Sequence, residues 1–155
     1  MTIMRLFILI VILLGACVPV RDDTEPARQA LVEFFDFLNQ GRYDDAVELY
    51  GGDYEVLTDH NSSLDPSDNV ALWKNACTIN GAQCLPVRTA TLEKNVGDEY
   101  LFIVEFSNPD GTLFVLGPCC DGSETDFPPV SQFEYRVQKT TDGRLVVLDL
   151  PIYVP

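Results

Sequence analysis

Apolar positions along this chain are spaced in three ways: first as an unbroken run, then with a helical period, then in alternation. Residues Leu6 to Leu14 read LFILIVILL, with no polar face to show water. That run is too short to cross a bilayer as a helix, which takes about 20 apolar residues. From Thr24 the spacing turns helical. Ala27, Ala30, Leu31, Phe34 and Leu38 form one stripe, Phe35 and Phe37 widen it, and Asn39-Gln40-Gly41 is a stop signal. A second short helix is predicted over Tyr43 to Tyr50, buried through Ala46, Val47 and Tyr50 and ended by Gly51-Gly52. The piece Tyr54-Glu55-Val56-Leu57 reads as a brief strand inside a polar stretch. A third helix is predicted from Asp65 as cap and Pro66 as first residue to about Cys77, burying Val70, Trp73 and Ala76 or Cys77.

From Leu85 the period becomes two. Tyr100, Phe102, Val104 and Phe106 share one face of a strand, and Phe133, Tyr135 and Val137 share one face of another. Strands are expected at Leu85 to Lys94, Glu99 to Ser107, Thr112 to Leu116, Gln132 to Lys139 and Leu145 to Leu150. Asn95-Val96-Gly97-Asp98, Asn108-Pro109-Asp110-Gly111 and Thr141-Asp142-Gly143 supply the turns. Helices followed by hairpin-linked strands predict an α+β domain, its helices packed on one face of a curved antiparallel sheet.

The stretch ALVEFFDFLNQGRYDDAVELY and the strand meander after it resemble the nuclear-transport-factor-2-like, or cone, superfamily. The resemblance runs from about Glu25 to the C-terminus. It implies three N-terminal helices on a sheet of about five to six strands, enclosing a tapered cavity. Members of that superfamily use the cavity for acid–base catalysis, for binding, or for dimerisation.

The N-terminal run also carries a resemblance. Arg5 precedes it and Leu14-Gly15-Ala16-Cys17 closes it, which are the parts of a secretory signal. The LGAC sequence resembles the lipobox of bacterial lipoproteins. That resemblance implies a signal peptide over residues 1–16, lipidation at Cys17, a tether over 17–24 and the folded domain over 25–155. It places the protein outside the cytoplasm, held to the cell membrane or outer membrane by lipid.

Charge narrows the partners. The formal net charge is −14, which disfavours a nucleic acid, because a phosphate backbone wants clustered Lys and Arg. Five cysteines look odd in an exported protein until Cys17 is assigned to lipid. Cys77, Cys84, Cys119 and Cys120 then remain, an even set that reads as disulfides with three connectivities. Their spacings are poor for zinc, and the sole histidine, His60, is remote in sequence. In a simple meander Cys84 and Cys119 fall at opposite ends of the sheet, while a disulfide needs alpha carbons within about 7 Å. Cys77–Cys84 with a vicinal Cys119–Cys120 pair is therefore expected.

Catalytic members of the cone superfamily pair an Asp base with a Tyr or Asp donor, or with a His. Asp59-His60 is the place where acid and imidazole adjoin here, but neighbours in sequence rarely face one another. Asp149, inside the apolar run LVVLDLPIYVP, and Asp36, between Phe35 and Phe37, are the other carboxylates that could enter a cavity. Tyr54, Tyr50, Tyr100 and Tyr135 are candidate hydroxyl donors, each with a core-ring role as the alternative. The alternation of Asp59, Asn61, Ser63, Asp65 and Ser67 imitates a calcium loop. It fails at Leu64, where glycine is needed, and at Val70, where a bidentate glutamate belongs.

With no complete catalytic set, no metal set and no phosphate loop, the sequence predicts a non-enzymatic lipoprotein. Its domain would bind a small apolar ligand or a partner protein, without a cofactor. The rival is a small cavity enzyme using Asp149 or Asp36 with a tyrosine. A homodimer joined through the open face of the sheet is a third reading.

Overall fold

The computed structural model describes residues 22–117 and 128–154. Cys17, the apolar run before it that is expected to be a signal peptide, Cys119 and Cys120 lie outside the described residues. The elements run α1 (Thr24–Asn39), α2 (Tyr43–Leu49), α3 (Glu55–Asp59), α4 (Asn69–Thr78), β1 (Val87–Val96), β2 (Glu99–Phe106), β3 (Phe133–Lys139) and β4 (Leu145–Val147). The strands pair antiparallel in the order β1-β2-β3-β4, giving an α+β fold on an open sheet.

Alternation along β2 is strict: Tyr100, Phe102, Val104 and Phe106 are buried and the residues between them are half-exposed. Tyr135 and Val137 continue that face on β3. Helix α1 lies across all four strands and buries Ala27, Ala30, Leu31, Phe34, Phe35 and Leu38. Rings make most of the contact. Phe35 meets Phe106 at 4.8 Å and Tyr135 at 5.0 Å, while Phe34 meets Trp73 at 5.5 Å, all edge to face.

Both ends of α1 are pinned. Asp23 pairs with Lys139 Nζ at 2.5 Å at the end of β3, beside the β1–β2 turn. At the other end the Asn39 amide donates to the Cys84 carbonyl at 3.0 Å. Between them Arg28 Nε donates to the Ala90 carbonyl at 2.9 Å, covering part of the exposed edge of β1.

Three expectations are corrected. The segment beginning at Tyr54 is helix α3 rather than a strand, because Asp53 Oδ1 accepts the Glu55 amide at 3.1 Å and opens a helical turn that buries Leu57. The following helix starts at Asn69, not Pro66. Asp68 is its cap, accepting the Ala71 amide at 3.0 Å, while Asp65 folds back onto Ser67. Among the described residues the sheet has four strands, fewer than the five to six expected.

The reason is local, both where a strand is missing and where one is shortened. After β2, Asn108 and Thr112 close a tight turn. The residues that follow make isolated bridges, Ser107 with Leu113 and Leu116 with Val130. Strand β4 stops at Val147, because the side chain of Asp149 takes the main-chain amide of Arg136 at 2.6 Å, a donor the sheet ladder would otherwise use.

Cys77 and Cys84 form a disulfide with alpha carbons 5.5 Å apart, closing the turn from α4 into β1. The C-terminal segment docks on this turn. The Gln83 amide donates to the Ile152 carbonyl at 2.7 Å, and the Val154 amide donates to the Gly81 carbonyl at 3.0 Å. Gly81 has φ +85°, and a Cβ there would stand 2.2 Å from the Val154 oxygen. Only glycine permits that approach.

Candidate functional site

The space between helices and sheet is filled. Phe34, Phe35, Trp73, Phe102 and Phe106 are fully buried there, with Phe133 packed half-buried at the side. None of the proposed carboxylates enters it.

Asp149 sits with Arg136, which faces away from the helices because it alternates with buried Tyr135 and Val137. The guanidinium spans the carboxylate, with Nη2 donating to Oδ1 at 2.6 Å and Nε to Oδ2 at 3.2 Å. This pairing holds the Arg136 guanidinium above its ordinary pKa. Asp36 is half-buried on α1. Partial burial, assisted by the nearby charge of Glu33, raises its carboxyl above the ordinary value.

The tyrosine hydroxyls are committed elsewhere. Tyr50 donates to the Asp53 carbonyl at 2.9 Å, and burial pushes its pKa far up. Tyr54 accepts the indole N–H of Trp73 at 3.3 Å. Burial raises its pKa, and that hydrogen bond opposes the rise. Tyr135, likewise shifted up by burial, bonds with the backbone of Ile152. Tyr100 is buried beneath α1 near the Asp23–Lys139 pair. Among the described residues no hydrogen bond joins Asp149 or Asp36 to a tyrosine hydroxyl, although the Asp149 charge adds, after burial, to the upward shift of Tyr50 and Tyr135.

Asp59 and His60 are also separate in role. The imidazole Nδ1 lies 2.8 Å from the Val56 carbonyl, capping the end of α3, and the ring tilts against Tyr153 with centroids 5.8 Å apart. No group of three or more His, Cys, Asp or Glu with metal-binding geometry occurs among the described residues.

A cleft of about 190 Å³ lies instead where three remote segments meet. Val56 and Leu57 of α3 and the neighbouring His60 make one wall. Ala76 of α4, with Asn80 and Ala82 from the disulfide-closed turn, makes the second. Leu150, Pro151 and Tyr153 from the C-terminal segment make the third. The lining is almost wholly apolar, and the side chains of Val56 and Tyr153 are about half exposed at its rim. One polar group breaks the pattern: Asn80 Nδ2 is buried and has no hydrogen-bond partner among the described residues.

Sequence reasoning identified the apolar C-terminal run but read it for Asp149 rather than for Leu150, Pro151 and Tyr153. Asn80 carries no sequence signal, since its isolation follows from packing alone. No protein-family model matches this chain, and no curated protein matches it by sequence.

Proposed function

We propose that this chain is a lipid-anchored extracytoplasmic lipoprotein whose cone-like domain binds a small apolar ligand and does not catalyse a reaction. The N-terminal LGAC sequence after a short apolar run supports the anchor. Helices packed across an antiparallel sheet are compatible with a cone-like domain. The observation that carries the binding reading is where the chemistry lies. The apolar cleft has no carboxylate on its walls, and Asp149 is engaged with Arg136. Small-molecule pockets are mostly apolar with a few placed polar groups, as this one is.

Two measurements test the reading. Radiolabelled palmitate should enter the native protein and not Cys17→Ser, and the native protein should fractionate with membranes. Methyl-labelled protein should show shifts confined to Leu57, Ala76, Ala82 and Leu150 when a neutral aromatic compound is added. A substrate turnover abolished by Asp149→Asn or Asp36→Asn would overturn the binding reading in favour of the cavity enzyme.

A further inference from the structure

The cleft has one feature that an inert packing defect lacks, the unpartnered amide nitrogen of Asn80. Buried donors in native proteins are almost always paired, so an orphan asks for an explanation. The surrounding atoms give none: no described group, His60 and Tyr153 of the same cleft included, lies in hydrogen-bonding position to it, and Ala76, Ala82, Leu57 and Leu150 offer no acceptor side chain.

We propose that the cleft takes a ligand consisting of one ring or short branched chain carrying a neutral hydrogen-bond acceptor, and that Asn80 Nδ2 donates to that acceptor. This deepens the binding reading above and rests on it. Size sets the apolar part. A dry cavity of about 150 Å³ holds benzene, so the roughly 190 Å³ here suits a ring with a small substituent. Polarity sets the acceptor. A carboxylate would be stripped of water with no cation on the cleft walls to replace it, in a protein of net charge −14. A ketone, ester or amide oxygen carries no such penalty. The terminal torsion of an asparagine is broad, so the amide can turn toward the ligand without moving its backbone. His60 and half-exposed Tyr153 flank the mouth and meet the part of the ligand that remains near water.

Acetophenone and ethylbenzene test this directly, since they share a ring and a two-carbon chain and differ by the acceptor oxygen. In the full chain with labelled methyl groups, acetophenone is expected to bind about tenfold more tightly than ethylbenzene, the worth of one hydrogen bond to a buried donor. Both should shift the Leu57, Ala76, Ala82 and Leu150 methyls. Asn80→Ala should bring acetophenone down to the ethylbenzene affinity while leaving ethylbenzene unchanged. Equal affinities in the native protein would overturn the role of Asn80 and leave the apolar cleft standing. Cleft methyls that respond to neither probe would overturn both. The comparison of the two probes on native protein decides the matter even if Asn80→Ala fails to fold, and Asn80→Leu, similar in size and without a donor, serves as the second variant.

Discussion

Asp149 holds Arg136 at two levels, its carboxylate accepting both the guanidinium and the main-chain amide of the same residue. The main-chain bond ends the ladder between β3 and β4, and the guanidinium clamp fixes the exit of the chain toward the C-terminal segment. Replacing Asp149 by Ala should cost about 1 to 2 kcal/mol, since charge-assisted bidentate pairs are strong and this one is partly screened by solvent. Asp149→Asn should recover part of that loss by keeping an acceptor for the amide. Urea unfolding measures both. An Ala variant as stable as the native protein would show that the strand end is fixed by something else.

The acidic residues should respond to pH in opposite directions. Asp36 has its carboxyl raised above 3.8, chiefly by burial, so its ionised form weighs against the fold. That cost is absent below the unfolded value and grows as pH rises through the folded one. Asp36→Asn should therefore raise the melting temperature at pH 7, with the gain vanishing below about pH 4. Asp142 is the reverse case. Hydrogen bonds from Thr140 and then Arg144 hold it down to about 2, so its contribution is present above 3.8 and lost as pH falls through about 2. Carboxyl carbon NMR across that range should find Asp142 titrating last and Asp36 well before it.

The Cys77–Cys84 bridge closes a short loop, with a sequence separation of 7. On chain-entropy grounds a loop of this size contributes about 2.5 kcal/mol. A Cys77→Ser, Cys84→Ser double variant should lose a stability of that order, with the damage concentrated in the cleft wall that the loop forms. Peptide mapping of the unreduced protein should recover Cys77 joined to Cys84. A peptide joining either of them to Cys119 or Cys120 would contradict the connectivity.

Gly81 allows the C-terminal segment to dock, because the Val154 oxygen occupies the place of a side chain. Gly81→Ala should cost more than about 1 kcal/mol from the left-handed backbone alone, before the clash is counted. Hydrogen exchange should locate the effect. The amides of Val154 and Gln83 lose protection, while those of β2 do not. Uniform loss across the sheet would mean that the segment is not a separable unit.

How far the sequence could be read follows from how local each cause is. The buried face of β2 was legible because every second residue from Tyr100 to Phe106 is large and apolar, and one face of the sheet is covered. Helix α1 was legible for the same reason at the helical period. Tyr54 to Leu57 was not, since four residues fit either period and the choice fell to the Asp53 side chain at Glu55. Thr112 to Leu116 has strand-like residues but finds bridges rather than a ladder. Asp149 looked like a buried acid because its neighbours are apolar. Its partner, Arg136, lies on the adjacent strand, and no local pattern announces that pairing. The cleft was hidden for a related reason, being the meeting point of three segments far apart in the chain.

The two pins on α1 have a mechanical consequence. The helix is 16 residues long, about 24 Å at 1.5 Å per residue. Its first turn is tied to β3 through Lys139 and its last to the disulfide loop through Cys84. Tied at both ends, it works as a rigid strut that fixes the disulfide loop, and with it one wall of the cleft, relative to the far end of β3.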